Sequence, residues 1–282
     1  KDYWKIANYL IKLQKGPSKM FSITLGKKGS EKSMHISERF RNNKFLICAL
    51  LFALFNMGAI FLIFGFQKYS DSLDYIDLIH WLRGEGGGAD MARVLRPLGP
   101  LIALPFEFLG DGAGLIIQNI IFYFLSAFLI FKLTDLIFQN KKQAFFASLF
   151  FVVATPLIES GLAYLTDMGA WFFYLLSIFL TLLYFKTKKE KLIILNGFLS
   201  GFAVLMKENG GLGILFFCLM VLLSKEFNTK EKIFKIIRFS VFFLIPIILW
   251  QIFVYQYFHY TYFNWYSKNL SGAPGEGMFL VA

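Results

Sequence analysis

The sequence predicts an all-α, polytopic membrane protein with about seven transmembrane helices. Three observations carry that prediction. The 282 residues are 57% hydrophobic and 17% charged, where a soluble domain runs about 45–50% apolar and about 25% charged. The apolar residues, Phe, Leu and Ile above all, gather in long runs. The basic residues fall mainly in alternate connections between those runs.

A spanning helix needs roughly 20 apolar residues. Seven stretches are candidates: 45–66, 113–134, 143–161, 169–185, 192–206, 210–224 and 239–258. Backbone groups inside a bilayer find no water, so helices are the form these segments take. The fifth and sixth are short, and Lys207-Glu208-Asn209 between them predicts a tight helical hairpin. GFLSG at 197–201 sets two glycines one turn apart, which lets helix backbones approach. Pro246 predicts a kink in the seventh span.

The remaining segments divide the chain into three parts. Residues 1–44 form a basic cytoplasmic segment. Within it DYWKIANYLIKL has helical apolar spacing and is expected on the inner membrane surface. Residues 14–34 read as a linker rich in Gly, Ser and Lys. Residues 45–258 form the transmembrane module, with 225–238 as a short basic amphipathic helix inside it. Residues 259–282 open an outer loop. The chain starts on Lys and stops just after MFLV, so it is expected to be part of a longer protein.

Lys and Arg orient the spans. With the N-terminus inside, the inner segments hold 23 of the 29: eleven in 1–44, three in 132–142, four in 186–191 and five in 225–238. The outer segments hold six. That asymmetry is a positive-inside signal. Carboxylates divide the other way, seven inside and eleven outside. The net charge of +11 is thus accounted for by topology and anionic inner-leaflet lipid, and nucleic acid is not needed. Cys48 and Cys218 sit inside apolar runs, which predicts small packed residues and says nothing of the redox compartment. His35, His80 and His259 are too scattered to form a ligand cluster.

Residues 67–112 break the pattern. This loop between two apolar runs holds seven carboxylates (Asp71, Asp74, Asp77, Glu85, Asp90, Glu107 and Asp111), together with Arg83, Arg93 and Arg96. SDSLDYIDLIHWLR has helical spacing, with Leu73, Ile76 and Ile79 as one stripe and Asp71, Asp74 and Asp77 as another. It can lie flat at the interface, and an ordinary amphipathic surface helix would look the same. Asp71 stands five residues beyond the first span, where a carboxylate can meet a lipid headgroup and a soluble acceptor together. GEGGG at 84–88 lacks the Lys-Ser/Thr ending of a nucleotide loop and reads as a hinge. RVLRPLGPLIALPFEFLG carries Pro97, Pro100 and Pro105, which suits a broken juxtamembrane helix. Arg93 and Arg96 would face the interface, where snorkelling anchorage is the plainer role.

Two further outer connections are charged. PLIESGLAYLTDMGAW carries Glu159 and Asp167, with Asp167 also placed to cap a helix. MKENGG carries Lys207 and Glu208, which would serve equally as solvated turn charges. Three loops that each put a carboxylate at one membrane face point to surface chemistry there.

Asp71 with Tyr75 four residues on, then RPLGPLIALPFEFLG, LTDMGAWFFYLL and GFLSGFAVLMKENGGL, come in the order found in the GT-C superfamily. The chain resembles its protein O-mannosyltransferase and aminoarabinose transferase branch over about residues 45–224. The resemblance implies an inverting membrane glycosyltransferase that draws on a polyprenyl-phosphate sugar, in a bacterial or archaeal plasma membrane, with its site on the outer face. It implies Asp71 as base and Asp167 as a second catalytic carboxylate that orients Asp71, the acceptor or a divalent ion. Asp74, Tyr75, Arg93, Arg96, Glu159, Lys207 and Glu208 would contact substrate, with Lys207 and Arg96 holding the phosphate. The family's acidic pair is adjacent or one apart, whereas Asp71 and Asp74 are three apart. Some relatives use a metal, so Mg or Mn at Asp71 and Asp167 stays open. The rival reading is a transporter or flippase for a lipid-linked or anionic solute, which would place ionisable groups near mid-bilayer. Here the span interiors are nearly charge-free. The enzyme reading requires Asp71, Asp167 and Lys207 to meet in one place.

Overall fold

The computed structural model describes residues 34–86 and 90–270, with side chains for 43–86 and 90–267. The predicted surface helix in residues 1–44, part of the 84–88 hinge and the end of the last segment lie outside the described residues. Among the described residues all regular structure is helical, and the chain is a polytopic membrane protein.

Helix α1 (Met34–Phe64) is followed by the short helices α2 (Ser70–Arg83), α3 (Met91–Val94) and α4 (Leu98–Ala103). A 3-10 turn over Leu104–Leu109 leads into α5 (Ala113–Phe138) and then α6 (Lys141–Val152). A π turn over Leu157–Gly161 precedes α7 (Asp167–Thr187) and α8 (Lys191–Met206). A second 3-10 turn, Glu208–Leu212, joins α8 to α9 (Gly213–Leu223). The chain continues as α10 (Thr229–Phe258) and α11 (Tyr262–Leu270).

Among the described residues four helices are long and apolar enough to cross a membrane: Asn43–Phe64 within α1, then α5, α7 and α10. Helices α8 and α9 are shorter apolar pieces, as their sequence predicts. The third candidate, 143–161, differs from expectation. Its helix α6 stops at Val152, and the chain turns through Pro156 into the π turn. Proline resists helix at the residue before it and supplies no N–H, which a hydropathy sum does not register. Twelve residues rise only about 18 Å, short of the roughly 30 Å hydrocarbon layer. The carbonyl of Val152 is taken up by Asn56 Nδ2 (3.0 Å) and Tyr123 Oη (3.1 Å).

The seventh span also differs. Residues 225–238 and 239–258 were expected as two pieces, but α10 runs unbroken for 30 residues, through Pro246. Asn228 accepts from Glu231 N (3.0 Å) and Glu231 accepts from Asn228 N (2.9 Å). This capping box starts the helix early.

GFLSG does mark a close crossing. A Cβ on Gly197 would stand 2.5 Å from the Phe239 carbonyl oxygen, and one on Gly201 would stand 2.2 Å from that of Phe243. Only glycine lets α8 lie so tightly on α10. On its other side α8 meets α7 through a polar seam. Asn196 Nδ2 donates to Ser177 O (3.2 Å) and Thr181 Oγ1 (2.9 Å), and Ser200 Oγ donates to Ser177 Oγ (3.1 Å). Such bonds hold helices together where lipid offers no hydrophobic driving force. The hairpin's second arm, α9, leans on α7 more than on α8.

Helix α2 buries Tyr75, Ile76, Leu78 and Ile79. Tyr75, Ile76 and Ile79 pack with Ala103 and Leu115. Of the predicted stripe Ile76 and Ile79 are buried but Leu73 stands exposed, and Ser72, Tyr75 and Leu78 broaden the buried face on the side away from it. This leaves Asp71 and Asp77 on the exposed side and Asp74 half-buried.

Candidate functional site

The polar residues singled out by the sequence gather where α2, α3 and the entries to α4, α7 and α9 converge. Arg93 is the hub on one side. Asp90 caps α3 by accepting from Ala92 N (3.2 Å), and this turn aims Arg93, one turn on, at α2. The guanidinium reaches Asp71 (2.8 Å), Asp74 (3.2 Å) and Asp90 (3.7 Å). It also lies over the Tyr75 ring, 4.7 Å from the centroid. Arg93 itself is buried, at 8% exposed. Burial would lower its pKa, but Tyr75 and the Asp71 and Asp74 carboxylates outweigh that and hold it above its ordinary value. Burial has the larger effect on Asp90, pushing its carboxyl above the usual range despite the Ala92 N–H and the Arg93 charge.

Tyr75 carries the contact onward. Its hydroxyl lies 3.0 Å from Thr166 Oγ1. Thr166 is fixed from two sides. Asn119 Nδ2 donates to Ala163 O (2.7 Å) and Leu165 O (2.8 Å), pinning the loop to α5. Gly99 of α4 presses against it, so close that a Cβ there would come within 2.3 Å of Thr166 Cγ2. The next residue, Asp167, opens α7. No side chain caps this helix. Asp167 instead accepts from Lys207 Nζ at 2.7 Å and is only 9% exposed. Glu208, the residue after Lys207, accepts from Arg96 Nη1 at 3.2 Å. Arg96 also donates through Nε to Ala92 O (3.0 Å), which returns the path to α3.

Asp71, Arg93, Tyr75, Thr166, Asp167, Lys207, Glu208 and Arg96 thus form one continuous contact path. Of the three residues required to meet, Asp167 and Lys207 are in direct contact, while Asp71 touches neither and is linked to them only through Arg93, Tyr75 and Thr166. Glu159 is the outlier. It sits exposed in the π turn, and its backbone oxygen accepts from Tyr69 Oη (3.0 Å). Among the described residues no three His, Cys, Asp or Glu side chains stand together as metal ligands. The two carboxylates considered for Mg or Mn, Asp71 and Asp167, each already face a cation.

Sequence reasoning counted Asp90 only among the loop carboxylates and missed Thr166 and the aromatics of late α10, the turn after it and α11. Tyr262 Oη donates to Leu95 O (2.5 Å) and Trp250 Nε1 donates to Val94 O (2.8 Å). These bonds fasten the end of α10 and the start of α11 over α3. Tyr266 is raised in pKa by burial and then by the Glu208 charge, and Tyr260 by burial and then by Asp90. The aromatic run YQYFHYTYFNWY at 255–266 was the available signal, since Trp and Tyr collect at membrane interfaces.

A family model described as dolichyl-phosphate-mannose-protein mannosyltransferase matches residues 101–250. The matched span holds Glu159, Asp167, Lys207 and Glu208 and begins after Asp71, Asp74, Tyr75, Arg93 and Arg96. No curated protein and no solved structure matches the chain.

Proposed function

We propose, from the premise that this chain belongs to the dolichyl-phosphate-mannose-protein mannosyltransferase family, that it transfers a sugar with inversion on the outer face of a plasma membrane. The coarser statement stands on the family alone: the chain is a membrane glycosyltransferase that uses a polyprenyl-phosphate-linked sugar. In the proposed reaction Asp71 takes the proton of an acceptor hydroxyl. The acceptor oxygen bonds to the anomeric carbon from the face opposite the phosphate. The bond from that carbon to the phosphate oxygen breaks, and its electron pair leaves with the polyprenyl phosphate.

The observation that carries this reading is the contact path from Asp71 to Lys207. It links an exposed carboxylate, through Arg93, Tyr75 and Thr166, to the Asp167–Lys207 pair and the neighbouring Glu208–Arg96 pair. One Arg93 charge is shared among three carboxylates, so that part of the site keeps net negative charge and a proton acceptor. Lys207 and Arg96 each engage one carboxylate and retain further N–H donors for a leaving phosphate. Arginine suits the planar, two-point contact, and lysine acts as a point charge. Donors already aimed at developing charge lower the barrier without reorganisation.

Asp71→Asn keeps the side chain's size and removes the base. Transfer from a labelled polyprenyl-phosphate sugar is expected to fall by about 10²–10⁴-fold, with an unchanged melting profile. Wild-type rates in that variant would rule out Asp71 as base. A Mg or Mn ion at Asp71 and Asp167 would compete with Arg93 and Lys207 for the same oxygens. Assays with and without a chelator decide that point.

A further inference from the structure

The two ion pairs beside the second 3-10 turn are built in opposite senses. Lys207 has extended backbone, φ −167° and ψ 143°, so its side chain and that of Glu208 leave on opposite sides. Lys207 goes to Asp167 and Glu208 goes to Arg96. In the first pair the acid is enclosed: the Asp167 side chain is 12% exposed and that of Lys207 31%. In the second pair the cation is enclosed, with Arg96 11% exposed and Glu208 32%. An anion arriving from solvent therefore meets Lys207 directly, but it meets Arg96 only beneath a carboxylate.

We propose that Glu208 is a displaceable counterion: it neutralises Arg96 in the empty site, yields the guanidinium to the phosphate as the sugar leaves, and takes it back to expel the polyprenyl phosphate. The inference rests on the glycosyl-transfer reading and adds to it how the leaving phosphate is gripped and then released. Charge sets the timing. In the donor the phosphate is a diester with one negative charge. Once the bond to the anomeric carbon breaks, the electron pair it keeps adds a second. The phosphate thus competes best for Arg96 when transfer is under way.

Three observations favour exchange at Glu208. Arg96 Nε is spent on Ala92 O, so a two-point grip on phosphate must include Nη1, the nitrogen Glu208 occupies. The turn that carries Glu208 is pressed onto the end of α8: a Cβ on Gly210 would stand 2.8 Å from Ala203 O, and one on Gly211 2.4 Å from Val204 Cγ2. Exchange is therefore a rotation of the Glu208 side chain on a fixed backbone. Its second partner is already in place. Burial first, then the Glu208 charge and a hydrogen bond to that carboxylate, raise the Tyr266 phenol above its ordinary pKa. Tyr266 stacks on Tyr262 (6.4 Å), which is bonded to Leu95 O. A carboxylate that leaves Arg96 keeps the Tyr266 hydroxyl.

The test titrates the protein, in detergent micelles, with farnesyl phosphate, a product mimic whose binding needs no transfer. Glu208→Gln should bind it about fivefold more tightly, the upper end for a partly solvated ion pair. Arg96→Met should bind it more weakly, and Glu208→Gln added to that variant should bring no gain. Tyr266→Phe should bind about threefold more weakly, since the displaced carboxylate loses its remaining partner. In transfer assays Glu208→Gln should lower kcat and KM together, about fivefold each, as product release slows. A residue that simply contacts substrate gives the reverse, weaker binding and a higher KM. That result, with transfer intact in the unaltered protein, overturns the exchange and leaves the enzyme reading standing. Tightening that survives the loss of Arg96 overturns it as well. If Glu208→Gln does not fold, Tyr266→Phe at the exposed rim decides, and unchanged binding there sinks the exchange. If the binding pattern holds but no donor yields transfer, the exchange stands and the glycosyl-transfer reading falls.

Discussion

The two ends of the helix bundle use the same kind of ion cluster with opposite stoichiometry. At the Asp71 end one buried cation, Arg93, serves three carboxylates. At the other end one carboxylate, Glu190, serves two cations, Lys235 (2.8 Å) and Arg238 (2.9 Å). Lys188 and Glu226 pair nearby, with Lys188 and Lys235 over the Phe227 ring. Among the described residues this cluster sets three cations, Lys188, Lys235 and Arg238, against two carboxylates, Glu190 and Glu226, each of them paired, which suits a clamp between helices. The Asp71 end has surplus negative charge on partly exposed oxygens, which suits proton removal. The ratio of charges, more than their presence, separates a clamp from a reactive site.

Arg93→Met should disturb the molecule most. It leaves Asp71, Asp74 and Asp90 facing one another without their cation. Stability should fall by about 2 kcal/mol, below the usual ~3–5 kcal/mol for a broken buried pair because these carboxylates are partly solvated. Transfer should fall about a hundredfold as Asp71 loses its anchor. Arg93→Lys returns the charge without the fork, and intermediate rates there would separate geometry from charge. Next comes the Asp167–Lys207 pair. Asp167→Asn, Lys207→Met and the double variant should show a coupling of about 1–2 kcal/mol in urea melts, since Asp167 is nearly buried. A coupling near zero would make the pair incidental.

The clamp end should respond less. Glu190→Gln is expected to cost no more than about 1 kcal/mol, because the group is largely solvated, and to leave kcat/KM within about twofold. Loss of transfer in that variant would break the distinction between the two ends. The smallest effect is also the sharpest. Burial raises Glu190's pKa, but Lys235 and Arg238 outweigh it and hold the value below the usual range. Its contribution is therefore present above the ordinary carboxylate pKa and is lost as pH falls through the lower folded value. Asp90 is raised, chiefly by burial, so its sign is reversed. The folded state holds that proton more tightly, and its contribution is greatest below the ordinary pKa and declines as pH rises through the folded value. Melting temperature against pH should fall less steeply on the acid side in Glu190→Gln. It should lose the opposite slope in Asp90→Asn, which keeps a capping oxygen.

Much of this was legible because hydrophobic runs and charge segregation are local properties. α5, α7 and the α8–α9 hairpin fall close to where apolar spacing puts them, and α2 holds Asp71 and Asp74 on its more open face. The breaks were not legible, because hydropathy is a sum and Pro156 is a steric veto. The pairings were hidden for another reason. Arg96 and Glu208 are 112 positions apart, and Asp167 and Lys207 are 40 apart. Only the crossing of α8 on α10 and the seam of α8 with α7 set which cation meets which acid. Thr166 carries no charge to announce it, yet its hydroxyl links the two halves of the site.

Helix α10 ties the two ends together mechanically. Its 30 residues make a rod of about 45 Å, well beyond the roughly 30 Å hydrocarbon layer, so it must lean or overhang. Glu190 grips the rod near its start, at Lys235 and Arg238. Farther along, Trp250 is bonded to Val94, and Tyr262, just past the rod's end, is bonded to Leu95. Those two backbone carbonyls lie between Arg93 and Arg96. Any change in the rod's lean, such as a thicker or thinner bilayer would impose, is delivered to the short stretch of chain that spaces the two arginines.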